Sequence, residues 1–162
     1  MFITFEGPDG SGKTTQSQLL LGRLLEAGYD VVSTREPGGT RLGELLRDLM
    51  LNTDTELGES SPTVEALLLS ASRAHHVDEV IRPALTANKI VLCDRFVDST
   101  IAYQGGGSQL DIDALRRLNH FATGALVPDL VVLVDIPAVR TVFDERLQVF
   151  VRELVNDLGT LS

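Results

Sequence analysis

The feature that most constrains the fold is a glycine-rich segment near the start of the sequence, Gly7-Pro8-Asp9-Gly10-Ser11-Gly12-Lys13-Thr14, which matches the pattern G-x-x-x-x-G-K-[ST]. Residues 2–5 before it read as a short buried strand, and residues 15–27 carry leucines on one face, as an amphipathic helix does. A loop between a strand and a helix directs backbone N–H groups and the positive end of the helix dipole at one point. The sequence therefore predicts binding of a nucleoside triphosphate, which this context favours over an ordinary glycine-rich turn.

Two residues of this segment have specific predicted roles. Lys13 is expected to reach the β- and γ-phosphates from a solvent-facing cradle, and the Thr14 hydroxyl is expected to hold Mg²⁺. The residues predicted to contact the triphosphate are Gly7, Pro8, Asp9, Gly10, Ser11, Gly12, Lys13, Thr14 and Thr15.

Composition narrows the class of protein. The 162 residues are 43% hydrophobic, which fits one domain spanning residues 1–162 with a substantial core. No window is apolar enough to span a bilayer, and the N-terminus has no signal-like region, so we expect a cytoplasmic protein with no membrane partner. The lone Cys93 lies in an apolar run and is interpreted as core filler. A formal net charge of −9 argues against a nucleic-acid partner and favours a small-molecule substrate.

Strand-like and helix-like segments alternate along the chain. The predicted strands are residues 2–5, 31–34, 90–93 and 130–134, and the predicted helices are residues 15–27, 42–51, 63–86 and 112–123. Pro83 is expected to break or kink the third helix near its end. Continuous apolar strands separated by helices predict an α/β fold, a parallel β-sheet flanked by helices on both faces, with ligands bound at the carboxyl ends of the strands.

Polar residues follow the predicted third strand. Asp94 and Arg95 come directly after it, and an aspartate that ends a strand beside a phosphate loop commonly organises Mg²⁺. Asp135, at the end of the fourth strand, is a competing candidate. Asp94 is preferred because Arg95 beside it gives a charge pair able to handle metal and phosphate together.

Two further features are less specific by themselves. The segment Thr34-Arg35-Glu36-Pro37-Gly38-Gly39-Thr40 follows the second strand, but its spacing identifies no ligand. Arg73, within the third helix, could clamp a phosphate bidentately, although a lone arginine there is more often a solvated helix charge. His75 and His76 are expected at the surface or at an interface, and no spacing suits a zinc site.

These segments together resemble bacterial thymidylate kinases in order and spacing, from residue 1 to about residue 137. The most specific are residues 34–40 and Asp94-Arg95-Phe96 leading into Ala102-Tyr103-Gln104-Gly105-Gly106-Gly107. The resemblance implies the P-loop NTPase fold of the nucleoside monophosphate kinase type. It also implies transfer of the γ-phosphoryl group of ATP to thymidylate (dTMP), with Mg²⁺, giving dTDP and ADP for dTTP biosynthesis.

The resemblance also implies roles for individual residues. Lys13, Arg95 and Asp9 would be catalytic, with Asp9 facing the deoxyribose 3′-hydroxyl and Arg95 holding the acceptor phosphate together with Arg73. Leu69 stands where the family usually has a phenylalanine that stacks on thymine. The residues implied in acceptor binding are Asp9, Pro37, Leu69, Arg73, Arg95, Ser99, Tyr103 and Gln104.

The chain departs from the family pattern after Pro137. Members whose phosphate loop lacks an arginine usually supply one from a mobile lid, before a last strand and a final helix. Here residues 138–162 read mostly as one amphipathic helix, in which Arg140 and Arg146 are either lid remnants or helix-surface charges. The lid is therefore either short or missing from this sequence, and we expect that a segment is missing.

The sequence leaves two alternative functions open and also predicts that the chain forms a dimer. The chain could be a related kinase with another nucleoside monophosphate as acceptor, or a nucleotide-binding module without catalysis. Residues 63–86 carry more apolar side chains than one sheet face can bury, which predicts a homodimer, and the resemblance implies pairing through such helices. The alternative is that a neighbouring helix of the same chain covers the surplus.

Overall fold

The computed structural model of the chain describes residues 1–51 and 60–135. Its sheet has four strands, which are β1 (Phe2–Glu6), β2 (Val31–Arg35), β3 (Ile90–Asp94) and β4 (Leu130–Leu133). They lie in the order β2-β3-β1-β4, and every neighbouring pair is parallel. The predicted parallel α/β sheet is therefore confirmed.

All four predicted helical regions are observed, and the structure adds one that was not predicted, α5 (Val97–Thr100). The helices are α1 (Lys13–Glu26), α2 (Arg41–Leu51), α3 (Pro62–His76), α4 (Arg82–Thr86), α5 (Val97–Thr100) and α6 (Ile112–Thr123). The Ser61 side chain caps α3 and the Asp111 side chain caps α6, since each accepts a hydrogen bond from a backbone N–H in the first turn. Pro62, the first residue of α3, also favours a helix start here. A backbone N–H in the first turn has no acceptor within the helix, so proline loses no hydrogen bond by lacking one.

The predicted third helix is continuous but irregular. A π-helical segment, Val77–Ile81, joins α3 to α4, and the backbone N–H of Arg82 donates to the carbonyl of Val77 five residues earlier. Pro83 lies in the first turn of α4, where it deprives the helix of no essential donor. The helix therefore does not break at Pro83, and its irregularity is the widened turn immediately before that residue.

One helical region was not predicted. α5 continues into a second π-helical segment, Ile101–Gly107, directly after β3. Its hydroxyl residues and triple glycine have poor helix propensity, so local pattern gave no sign of it. Packing compensates for this weakness, because Gln104 and Gly105 are buried against the rest of the fold.

Successive side chains of β1 point to opposite faces of the sheet, so they belong to two separate layers of the core. Ile3 and Phe5 face α1 and pack with Leu20 and Leu24, whereas Phe2 faces the helices that follow α3. Cys93 is fully buried in the second layer, as expected for core filler, and burial raises its pKa well above the usual value. The thiol is therefore held in its unreactive protonated form.

Several predictions fall outside the described residues. These are the helix predicted over residues 138–162 and the suggested lid remnants Arg140 and Arg146. Within residues 1–51 and 60–135, no helix is both long enough and apolar enough to cross a membrane.

Candidate active site

A cleft of about 710 Å³ opens at the carboxyl ends of β1 and β3, and we call it the loop cleft. Six of the nine residues predicted to contact the triphosphate line it, namely Asp9, Gly10, Gly12, Lys13, Thr14 and Thr15. The other three contribute through the loop itself. The carbonyls of Gly7 and Pro8 accept hydrogen bonds from site side chains, and Ser11 is buried behind the loop.

Glycine is required at the first position of the loop. Gly7 has a φ of 140°, and a Cβ there would collide with the backbone carbonyl oxygen of Val134, just beyond β4. The loop is thus pressed against the end of the neighbouring strand. The close approach fixes its position relative to the sheet.

Lys13 is more buried than expected. Its exposed fraction is 5%, and its Nζ donates a 2.6 Å hydrogen bond to the carbonyl oxygen of Pro8. Burial lowers the pKa of Lys13, and the nearby Arg95 guanidinium lowers it further, while Asp94 and Asp9 oppose the change. The predicted cradle opens at the cleft, but the lysine side chain is buried within it and held by its bond to Pro8.

The two residues proposed for Mg²⁺ lie together. Thr14 Oγ1 donates a 2.6 Å hydrogen bond to Asp94 Oδ2, which joins the start of α1 to the end of β3. A hydroxyl and a carboxylate are the hard oxygen donors that Mg²⁺ prefers, and phosphates and water usually complete its shell. Asp135, the competing candidate, is exposed. The donor chemistry of the Thr14–Asp94 pair therefore fits a magnesium ion.

A second cavity, of about 370 Å³, adjoins the loop cleft, and we call it the side pocket. It contains every residue that the resemblance assigned to the acceptor, which are Asp9, Pro37, Leu69, Arg73, Arg95, Ser99, Tyr103 and Gln104. The sequence places these residues on four separate segments. The fold brings all eight to one concave surface.

Arg95 is at the centre of this arrangement. Its guanidinium forms an ion pair with Asp9 and donates to the Gly7 carbonyl at 3.2 Å and to Ser99 Oγ at 3.1 Å. It also lies over the Tyr103 ring, 5.3 Å from the ring centre. The residue has a φ of 72°, a conformation that is uncommon for a side chain other than glycine. The chain thus turns sharply after β3 and points this arginine back at the phosphate loop.

Glu6 supports this turn and was missed in the sequence. Its carboxylate accepts hydrogen bonds from the Phe96 N–H at 2.7 Å and from Ser99 Oγ at 2.6 Å. Burial raises the pKa of Glu6, whereas these two hydrogen bonds lower it. An acidic residue at the end of a buried strand, directly before the phosphate loop, was the available signal.

The geometry of Arg73 differs from the expected phosphate clamp. It is 2% exposed, and four of its five N–H groups donate to protein acceptors. Those acceptors are Glu36 at 2.7 Å, Asn119 at 2.5 Å, and Phe96 and Thr100 at 3.0 Å. Bidentate binding of a phosphate would require it to give up some of these bonds. Arg73 is therefore better described as a fixed part of the pocket wall.

Comparisons with known proteins agree with this geometry. The family model described as thymidylate kinase matches residues 5–143. The chain belongs to the thymidylate kinase family.

Individual relatives within the thymidylate kinase family are close. The chain is 57% identical over 136 residues to the thymidylate kinase of an Exiguobacterium species and 58% identical over 137 residues to that of Thermomicrobium roseum. Each alignment covers 84% of this chain but only 63% of the relative, so the chain spans less than two thirds of their length. The crystal structure of thymidylate kinase from Ehrlichia chaffeensis matches with a TM-score of 0.76 and 42% identity, covering 99% of this chain and 86% of that one.

One further arginine of the site, Arg47, was not identified from the sequence. Arg47, on α2, lines both the loop cleft and the side pocket, and its Nη1 donates to the Pro37 carbonyl at 3.0 Å. On an exposed amphipathic helix, an arginine carries no sequence signal that separates it from a surface charge. Only the packing of α2 across the cleft shows its position.

Four charged residues face both cavities, and together we call them the shared wall. Two are acidic and two are basic: Asp9, Glu36, Arg47 and Arg95. Because the same side chains border both spaces, ligands in the two cavities would meet across them. The arrangement suits the transfer of a charged group between two bound molecules.

Proposed function

We propose that the chain binds ATP in the loop cleft and thymidylate in the side pocket, and transfers the γ-phosphoryl group of ATP to thymidylate. The observation that carries this proposal is the shared wall, on which Arg95 borders both cavities. Family membership supports the identity of the two substrates. The products would be dTDP and ADP.

On the donor side, the loop backbone and Lys13 would bind the phosphates. Lys13 is already held at the cleft by its bond to Pro8, so little further ordering is needed on binding. Thr14 and Asp94 would hold Mg²⁺, which when bound would neutralise part of the negative charge of the phosphates.

On the acceptor side, Arg95 and Arg47 are the cations placed to bind the thymidylate phosphate. Tyr103 and Asp9 lie beside Arg95, where the sugar would follow. Deeper in the pocket, the Oε1 atom of Gln104 is buried and accepts no hydrogen bond from the described residues. A ligand that supplies a donor there would satisfy it, and the imide N–H of thymine is such a donor.

The chemistry requires positioning and charge neutralisation. An oxygen of the thymidylate phosphate would attack the γ-phosphorus, and the bond from that phosphorus to the β–γ bridging oxygen would break as ADP leaves. The attacking phosphate oxygen is already anionic, so no strong base is needed. Lys13 and Arg95 would stabilise the charge on the transferring group, an effect worth about 10³–10⁵ in rate for an arginine at such a position.

The test is a comparison of acceptors with the purified chain. ADP release from ATP is expected with thymidylate and to be much slower with uridylate or guanylate at the same concentration. Preference for another monophosphate would favour the related-kinase alternative. Tight ATP binding without transfer to any of the three would favour a binding module.

We propose further that residues 1–162 form one domain that acts in the cytoplasm and pairs as a homodimer. The pairing is supported by Val64 and Leu67, which lie one turn apart on α3 and are 43% and 54% exposed, and by Phe121 on α6, which is 86% exposed. Sedimentation across a dilution series should show a dimer, and Leu67→Glu should shift it toward monomer. A monomer throughout the series would contradict the pairing.

A further inference from the structure

We propose that His76 is a positioning residue, which holds the Arg73 guanidinium in the wall of the side pocket through Glu36. His76 does not itself line the pocket, and its effect on the acceptor would pass entirely through this chain of hydrogen bonds. The kinetic part of the inference rests on the proposed function, whereas the position of Arg73 can be measured without any ligand.

The connection begins at the Glu36 carboxylate, which has one partner on each oxygen. Oε2 accepts from Arg73 Nε at 2.7 Å, and Oε1 lies 3.0 Å from His76 Nδ1. All three side chains are almost completely buried, with exposed fractions of 5% for Glu36, 2% for Arg73 and 0% for His76. Because an ionised carboxylate only accepts hydrogen bonds, Nδ1 must carry the proton in this contact.

The other side of the histidine ring is held as well. Nε2 lies 2.7 Å from Thr34 Oγ1 at the end of β2. Gly39 leaves the ring its space, since a Cβ at that residue would lie 2.6 Å from His76 Nε2. The ring therefore has one position, with Thr34 on one side and Glu36 on the other.

Packing alone does not account for this arrangement. The helical region after α3 already buries apolar side chains such as Val77 and Ile81 in the second core layer. Burying a charged pair and an imidazole beside them carries a desolvation cost that apolar residues would avoid. The network does fix Arg73 at the point where it borders the side pocket, because four of its N–H groups donate hydrogen bonds to protein acceptors. The geometry therefore indicates that this buried network serves to hold the pocket wall in place.

Three substitutions of His76 distinguish the contact at Nδ1 from the contact at Nε2. His76→Asn places an amide N–H where Nδ1 lies and can still donate to Glu36. His76→Gln instead places its amide where Nε2 lies, and His76→Leu removes both contacts. We expect KM for thymidylate to rise about fivefold to tenfold in the Gln and Leu variants, the size of effect of a typical net hydrogen bond, because the loss reaches the acceptor only through Arg73. The Asn variant should stay within about twofold of the parent chain, and KM for ATP should change little in all three.

The second readout is the Arg73 Nε–H signal in nitrogen–proton NMR spectra of the full chain without ligand. The signal should be protected from exchange with water in the parent and in His76→Asn, and it should lose protection in His76→Gln. If His76→Leu does not fold, the Asn and Gln variants still decide the matter. The inference is overturned if Asn and Gln behave alike, or if the KM values for both substrates rise by the same factor. A parent chain that does not turn over thymidylate would overturn the proposed function alone, because the NMR comparison still tests His76.

Discussion

The loop cleft and the side pocket are neighbours, but they are built in different ways. The cleft is centred on one continuous segment, residues 7–15, and much of its chemistry lies in the backbone. The side pocket draws its wall from α2, α3, the loop after β2 and the region after β3. A site made from one segment depends on local conformation, whereas a site made from several depends on how the whole fold packs. Substitutions should therefore affect the two cavities in different ways.

The largest expected effect is in the cleft. Lys13→Ala should reduce turnover by about 10²–10³, since the ammonium group stabilises charge that develops during phosphoryl transfer. Steady-state kinetics and thermal unfolding should be measured together. Lys89→Ala is the matched control, because Lys89 lines neither cavity. Near-normal turnover in Lys13→Ala would remove the basis for placing ATP in the loop cleft.

The second effect distinguishes two arginines of the side pocket. Arg95→Ala should weaken thymidylate binding by about tenfold to a hundredfold, because a charge-assisted bond to phosphate is lost. Arg73→Ala differs because it should lower the free energy of unfolding by about 3–5 kcal/mol, since it leaves the buried Glu36 carboxylate without its cation.

Calorimetric titration of each nucleotide and thermal melts would separate these effects, with the exposed Arg116→Ala as control. If Arg73→Ala melts at the same temperature as Arg95→Ala, the description of Arg73 as a fixed part of the wall is wrong.

The smallest effect concerns the apolar side of the pocket. Leu69→Phe would restore the aromatic ring that the family usually has there, and stacking on a base is worth about 0.5–1.5 kcal/mol. KM for thymidylate should fall by about twofold to tenfold, with no change in KM for ATP. Leu25→Phe, at an exposed leucine of α1 that lines neither cavity, serves as control. An unchanged KM would mean that the base does not lie against residue 69.

The same contrast explains what the sequence could predict. Alternation of apolar strands with amphipathic helices located all four strands and the main helices, because each segment carries its own periodicity. The phosphate loop was equally visible, since its function requires glycines and a lysine at fixed spacing. The acceptor residues were found only through resemblance to a family, and the fold does bring them together.

The remaining features depend on packing that no local pattern records. His76 was expected at the surface or at an interface, but it is completely buried, and Glu36 and Thr34 supply its partners from another element. Arg47 was passed over because its helix looks like any amphipathic surface helix. The helical region after β3 was missed since glycines disfavour a helix that burial nevertheless maintains. In each case the deciding partner lies outside the helix that carries the residue.

The shared wall also affects how fast nucleotides arrive. The wall is formally neutral, since Asp9 and Glu36 offset Arg47 and Arg95, in a chain whose formal net charge is −9, so its arginines attract an anion only at close range. An anionic nucleotide is repelled at long range and attracted only within about 10 Å of the wall at 0.1 M salt. Moderate salt screens the long-range repulsion, so it should accelerate association, the reverse of what is seen when a whole surface steers its ligand. The acidic exterior thus governs the rate of capture, while the two arginines govern how long the nucleotide stays.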